Sequence, residues 1–246
     1  MACVPAIVAL PSGVWLAQNA GYAVVIAITA VSALAPLAAV PWLGGSAGHE
    51  TGTEAGTDAK PASLLASLRS AGQLRPAVIF AATTVSAGVV ASFLPLAAGV
   101  SAGVAALGLF AQAVTATASR WWAGRRGDRH GHARLLIPGL LIATAGMTSL
   151  IWVSAPAVLI AGMCLFGIGF GITQNATFAL MIDRAPASGY GTASALWNLA
   201  YDAGYGAGPI TFGVFVAHTG YPAAFALTGL LILTALLPAV RDRASG

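Results

Sequence analysis

One carboxylate stands apart from the other charged side chains of the sequence. Asp202 lies inside a long apolar run, about 13 residues after that run begins at Gly189. If the run is a membrane-crossing helix, a rise of 1.5 Å per residue places Asp202 roughly 20 Å along it, near the middle of the bilayer. A carboxylate at that depth costs on the order of 3 kcal/mol on insertion scales, so it usually faces a cavity and takes part in transport or proton transfer. Asp202 is therefore a candidate for proton coupling or substrate binding. The alternative is a structural carboxylate that is hydrogen-bonded to a neighbouring helix.

A second group of candidates consists of uncharged polar side chains inside apolar runs. Each of them can hydrogen-bond to a substrate along a transport path, or can tie two helices together within the membrane. A tie is the more common role for any one such residue, and the sequence leaves both roles open. The residues are Gln112, Gln174, Asn175 and Asn198, with the hydroxyls of Thr83, Thr84 and Thr115.

The most specific pattern is a glycine-rich, arginine-rich stretch over residues 120–134, which is expected to be a loop between two spans. It contains Gly124, Asp128, Arg129, Gly131 and Arg134. Glycines allow the tight turn that a short loop needs, and the carboxylate can face a helix N-terminus or an arginine. A merely basic loop would explain the arginines but not the spacing of the glycines and the Asp-Arg pair.

Composition places these residues in a membrane protein. Of 246 residues, 58% are hydrophobic and only 7% are charged, against about 25% charged in an ordinary soluble domain. The net charge of +4 sits in short clusters between apolar runs, which argues against a nucleic-acid partner. The sequence contains no phosphate-binding loop, catalytic cluster or metal-ligand spacing. We therefore expect neither an enzyme nor a bound cofactor or metal, and any transport would be driven by an ion gradient.

Eight apolar runs approach or reach the roughly 20 residues that a membrane helix needs. With eight spans, all 11 Lys and Arg residues fall on one side of the membrane, and the opposite turns near residues 19, 99, 154 and 219 carry none. This distribution predicts that both termini are cytoplasmic. The spans are residues 2–17, 21–40, 76–98, 102–121, 135–153, 156–181, 189–216 and 221–240.

The runs divide into two groups around a polar segment. Residues 44–75 begin with a stretch rich in Gly, Ser, Thr and Ala that cannot bury a core, so we expect a cytoplasmic central loop there. Residues 1–43 would hold two spans, and residues 76–243 a bundle of six. The segment after Gly21 is similar to the segment after Gly220, at an offset of 199 residues. Such an offset suggests a parallel repeat of six helices, although apolar segments of biased composition also resemble one another by chance.

The glycine and Asp-Arg spacing over residues 124–134 resembles the loop signature of the major facilitator superfamily, except that His132 replaces a frequent base. The resemblance continues in the glycine-rich runs around Gly167 and Gly171, and around Gly204 and Gly208, whose spacing also favours close helix packing. It implies an all-α partial major facilitator fold, in which the eight spans correspond to helices 5–12 of a twelve-helix transporter. The small, Ala/Gly-rich helices are similar to those of efflux permeases.

Two functions remain compatible with this resemblance. One is a proton-coupled secondary transporter of a small molecule in the cell (inner) membrane, working by alternating access. The other is a non-transporting, truncated relic or an accessory membrane protein. The resemblance further implies that the chain is truncated at its N-terminus. The absent helices would then be needed in cis or in trans, and Asp128 would lack a helix-terminal partner within residues 1–10.

Overall fold

The computed structural model describes residues 24, 70–97 and 99–244. The chain forms two compact units, and the helices from residue 71 onward belong to the unit that contains residues 61–246. The first two predicted spans and the central loop up to residue 69 lie outside the described residues, apart from residue 24, which is helical. The prediction about residues 1–10 lies outside them as well.

The described part of the chain consists of helices joined by short turns and contains no strand. Short 3₁₀ turns over Leu94–Leu96, Leu150–Trp152 and Ala187–Gly189 interrupt or join the helices. Among the described residues, five helical stretches are long and apolar enough to cross a membrane. The helices are α1 (Ala71–Phe93), α2 (Ala102–His130), α3 (Ala133–Ser149), α4 (Pro156–Asp183), α5 (Tyr190–Thr234) and α6 (Leu236–Ala244).

Helix α5 contains two arms that fold back on each other at Gly220. That glycine has φ 75° and ψ 170°, outside the helical region, and Pro222 follows it. In a straight helix, Phe212 and Phe225 would lie about 20 Å apart along the axis, yet their ring centroids are 5.0 Å apart. The chain therefore reverses at Gly220, between the two predicted spans 189–216 and 221–240. The first arm continues to residue 219, slightly beyond the predicted end.

Glycines let the helices approach backbone to backbone. A Cβ on Gly171 would overlap the Ala116 carbonyl of α2, and one on Gly169 would overlap the backbone of α3, so α4 lies between α2 and α3. A Cβ on Gly204 or Gly208 would likewise overlap the backbone of α1. Helix α1 thus packs against the first arm of α5. A Cβ on Gly167 would also overlap α2, at the Gln112 carbonyl. The close packing predicted from the glycine spacing is therefore confirmed for Gly167 and Gly171 and for Gly204 and Gly208.

The hydrophobic core lies along α1, α3 and α4 and receives further buried side chains from α2 and from both arms of α5. It is tightly filled, because its largest side chains have no exposed surface. Among them are Phe80, Leu136, Met147, Phe166 and Phe225.

Two boundaries predicted from the sequence are wrong. Residues 71–75 belong to α1 and not to the central loop. Helix α2 continues through the arginine-rich stretch to His130, so most of the predicted loop between the fourth and fifth spans is helical. Its arginines are good helix formers, and the helix stops only at Gly131, whose φ of 88° ends it.

Candidate substrate and coupling site

The first arm of α5 carries a polar row on an exposed face. Asp202 and Asn198 are both exposed and lie four residues apart, so they face the same way one turn from each other. The Asn198 amide donates to the Ser194 carbonyl at 2.9 Å, within its own helix. Asp202 is 12 residues from the start of α5, about 18 Å along the axis. The carboxylate therefore lies at mid-helix on a surface that the described residues leave open.

An aromatic row runs beside this polar row at the same helical spacing. Trp197, Tyr201 and Tyr205 follow each other at intervals of four residues on α5. The ring centroids of Trp197 and Tyr201 are 6.3 Å apart, and those of Tyr201 and Tyr205 are 5.7 Å apart. The interplanar angles are 21° and 18°, so the three rings are nearly parallel. Tyr205 is 37% exposed at the mid-membrane end of the row.

Two other helices pack against Trp197, the first ring of the aromatic row. Phe80 of α1 stacks on Trp197 with 4.4 Å between centroids and 12° between planes. Phe178 of α4 meets the Trp197 ring edge-on at 5.2 Å. The Trp197 indole N–H donates to the Thr177 hydroxyl of α4 at 3.3 Å. The row therefore rests on the packed seam of α1, α4 and α5 and has little freedom to rotate.

The remaining polar candidates lie along the other seam of the bundle, between α2 and α4. Gln174 is buried and accepts a hydrogen bond from the Arg120 guanidinium of α2. Asn175 and Gln112 are half-buried, and Gly167 packs against the backbone of Gln112. The structure thus separates the predicted polar candidates into two groups, with Asp202 and Asn198 together on α5.

The hydroxyl candidates have different roles. The Thr84 hydroxyl contacts the Ala200 carbonyl of α5 at 3.3 Å, so it ties two helices. Thr83 and Thr115 donate to carbonyls of their own helices. Gln174 also ties two helices through Arg120. Thr84 and Gln174 therefore each form a hydrogen bond between two helices.

The glycine and Asp-Arg motif lies at the junction of α2 and α3. Asp128 is 74% exposed, and its carboxylate lies 3.6 Å from one ring nitrogen of His132. The other ring nitrogen of His132 lies 3.7 Å from the Asp183 carboxylate of α4. Arg129 and Gly131 are exposed at the same junction. A Cβ on Gly127 would overlap the His132 ring, so this glycine makes room for the histidine.

Around this junction lies an open groove of about 790 Å³. Arg134, Arg184 and Arg243 line it beside the two carboxylates. Gly124 lies about two helical turns before the junction, close to the Asn175 amide of α4. The motif therefore joins the ends of α2, α3 and α4.

Sequence reasoning missed a buried ionic cluster at the ends of the bundle. Asp242 of α6 is 1% exposed, and one Arg184 nitrogen donates to both of its carboxylate oxygens at 2.9 Å. Arg75 of α1 lies 3.9 Å from the same carboxylate. Arg184 also donates to the Gly72 carbonyl at 3.1 Å. In the sequence, Asp242 looks like a solvated tail charge between Arg241 and Arg243, and nothing local shows that it is buried.

The aromatic row was missed as well, although its spacing of four residues is visible in the sequence. Aromatic residues in apolar runs are ordinarily core residues, so their alignment beside Asp202 becomes informative only when the helix and its neighbours are known.

The helical architecture and the apolar spans define a multi-pass membrane protein. The family model of the Major Facilitator Superfamily matches residues 1–209 and residues 77–245. The chain therefore belongs to the Major Facilitator Superfamily, whose members are transporters and not enzymes.

Proposed function

We propose that this chain acts in proton-coupled secondary transport of a small molecule by alternating access, in the efflux direction. The observation that carries the proposal is the position of Asp202, an exposed carboxylate at mid-helix in a chain of a transporter family. Among the described residues, Asp202 forms no ion pair. Its charge is therefore available to a proton or to a substrate.

In this proposal the carboxylate is the coupling group. A protonated Asp202 is neutral and compatible with a closed, water-free path, whereas the ionised form favours a state in which its face is open to water. Asn198, one turn away, would orient the carboxyl or hydrogen-bond to the substrate. Gln174, Asn175 and Gln112 would contribute from the α2–α4 seam, where Gln174 already binds Arg120.

We further propose that the described helices form the second six-helix bundle of the family fold. Residues 76–243 would make up that bundle and residues 1–43 two spans of the first, connected by the central loop. Both termini would be cytoplasmic, in a cell inner membrane. The Arg-rich junction of α2 and α3 would then lie on the cytoplasmic side and govern the change between states.

The test uses everted membrane vesicles that contain the full chain and are energised to build an interior-acid pH gradient. A panel of neutral sugars, organic anions and organic cations is added while a pH-sensitive dye reports the gradient. We expect at least one compound to dissipate part of the gradient in vesicles with the wild-type chain. Asp202→Asn should abolish this response at an equal amount of inserted protein.

Glu54→Gln is the matched control, because it makes the same chemical change on a carboxylate of the predicted central loop, distant in sequence from both polar groups of the bundle. It should leave the response in place. An unchanged response in Asp202→Asn would refute the coupling role. A complete absence of response with every compound would favour a non-transporting accessory protein.

A further inference from the structure

One end of the described helix bundle carries a strong excess of positive charge. The described residues contain nine arginines, all in the parts of the helices that meet at this end. Three aspartates lie there as well, which leaves an excess of six positive charges. A surface with such an excess attracts anions from its surroundings.

The carboxylates at this end already face partners within the chain. Asp242 is buried against Arg184, whose guanidinium donates to both carboxylate oxygens. Asp128 and Asp183 both face the ring of His132, one at each ring nitrogen. The negative charge available inside the bundle is therefore committed to these contacts.

Two arginines on the wall of the groove are left without a carboxylate. Arg134 of α3 and Arg243 of α6 both line the groove, and both are exposed. Among the described residues, neither of them forms an ion pair. Two guanidinium groups from different helices thus border one open space. A phosphate group is an anion that can accept charge-assisted hydrogen bonds from both.

An exposed apolar strip leads away from each of these arginines along its helix. On α3, Leu141 is exposed and follows Arg134 by seven residues, on the same face of the helix. On α6, Val240 precedes Arg243 by three residues, and Leu237 precedes Val240 by three; both are exposed. Helices α3 and α6 pack against each other, so the two strips are neighbours.

We propose that Arg134 and Arg243 bind the phosphate of an anionic phospholipid, whose acyl chains lie along the apolar strips of α3 and α6. A soluble anion would satisfy the arginines but leave the strips uncovered, whereas a lipid covers both. Basic pockets between membrane helices are suited to anionic head groups. The phosphate would join α3 to α6 at the membrane surface. The site is separate from Asp202, and its occupancy does not require that the chain transports anything.

The head group should decide which lipid binds. Phosphatidylglycerol carries the phosphate charge alone, whereas phosphatidylcholine adds a cation that the excess of arginines repels. The experiment titrates the full chain, purified in an uncharged detergent, with either lipid carrying identical acyl chains, and counts the retained lipids by native mass spectrometry. We expect phosphatidylglycerol to bind at least about tenfold more tightly than phosphatidylcholine.

Paired variants locate the charge that is responsible. The double variant Arg134→Gln with Arg243→Gln should weaken phosphatidylglycerol binding about tenfold or more, because each arginine near a membrane surface contributes about fivefold. Arg134→Lys with Arg243→Lys keeps both charges and should stay within about threefold of the wild type. The matched control is Arg125→Gln with Arg126→Gln, which removes two charges from α2 outside the groove lining. It should also stay within about threefold.

Two measurements on the wild-type chain do not depend on how well a variant folds. Phosphatidylglycerol binding should weaken strongly when ammonium acetate is raised, since salt screens exposed charges, whereas phosphatidylcholine binding should change little. A large excess of glycerol 1-phosphate, which has the charged head group but no acyl chains, should not displace phosphatidylglycerol.

Equal binding of the two lipids would overturn the proposal. So would equal losses in the two double glutamine variants, since the charge would then act without a defined site. Displacement by glycerol 1-phosphate would assign the groove to a soluble phosphate compound and refute a lipid site. Size-exclusion profiles verify that each variant is folded, and if the groove variant is not, the salt and displacement results on the wild-type chain decide.

Discussion

The buried carboxylate of Asp242 permits a quantitative test of how the ends of the helix bundle are held together. Asp242 is 1% exposed, and Arg184, its main partner, is 25% exposed. Asp242→Asn keeps the shape of the side chain but removes its charge. Breaking a buried ion pair by removing one partner costs about 3–5 kcal/mol. Because water reaches part of Arg184, which also keeps its bond to Gly72, we expect about 3 kcal/mol, the lower end of this range.

This loss can be measured as a shift of the unfolding temperature. For domains of this size, 1 kcal/mol corresponds to about 2–4 °C, so Asp242→Asn should lower the midpoint by about 6–12 °C. The assay follows a thiol-reactive dye in detergent, in a Cys3→Ser background. Cys164 of α4 is free and partly buried and becomes more reactive when the bundle opens.

Two controls make the result specific. Asp183→Asn removes an exposed carboxylate and should shift the midpoint by less than about 2 °C, as is typical of surface pairs. Replacing Arg184 and Asp242 together by leucine should recover much of the loss, because the charge that remains in the cluster, Arg75, is 33% exposed and reaches water. A shift in Asp242→Asn no larger than that in Asp183→Asn would show that the cluster is solvated and would refute the reasoning.

Two further predictions concern packing and orientation. Gly204→Ala should weaken the α1–α5 contact and lower the unfolding midpoint by several degrees, because the new Cβ would overlap α1. Gly206→Ala should be neutral or slightly stabilising, since nothing lies within 4 Å of its Cβ. Equal effects of the two variants in the same thermal assay would contradict the packing. In a cysteine-free background, a membrane-impermeant thiol reagent added outside the cell should label Thr219→Cys and not His130→Cys, and the opposite pattern would reverse the proposed topology.

From residue 76 onward, the apolar runs of the sequence correspond to helices of the structure, because a run of about 20 apolar residues favours a membrane helix. The sequence also predicted the reversal between the last two spans, where Gly220 and Pro222 interrupt the apolar pattern. The helix ends were harder to predict. Backbone hydrogen bonding does not stop where polarity rises, so α2 continues past Trp122 through its arginines to Gly131.

Contacts between distant segments account for what the sequence could not predict. The burial of Asp242 depends on Arg184 and Arg75, which come from other parts of the chain. Whether Thr84 or Gln174 lines a path or ties helices depends on which carbonyl or guanidinium lies opposite. Asp202 could be singled out from the sequence because its isolation is a local property. Its aromatic neighbours gain meaning only from the packing of Phe80 and Phe178.

The ionic cluster at the bundle ends has a consequence for the order of biosynthesis. Arg75 and Arg184 are translated and inserted before Asp242 leaves the ribosome, so during that interval neither has the carboxylate that later holds it. The bundle can therefore assemble its apolar helices early but fastens α1 to α6 only when α6 arrives. A chain that ends before residue 242 would therefore lack the carboxylate that connects α1, the end of α4 and α6.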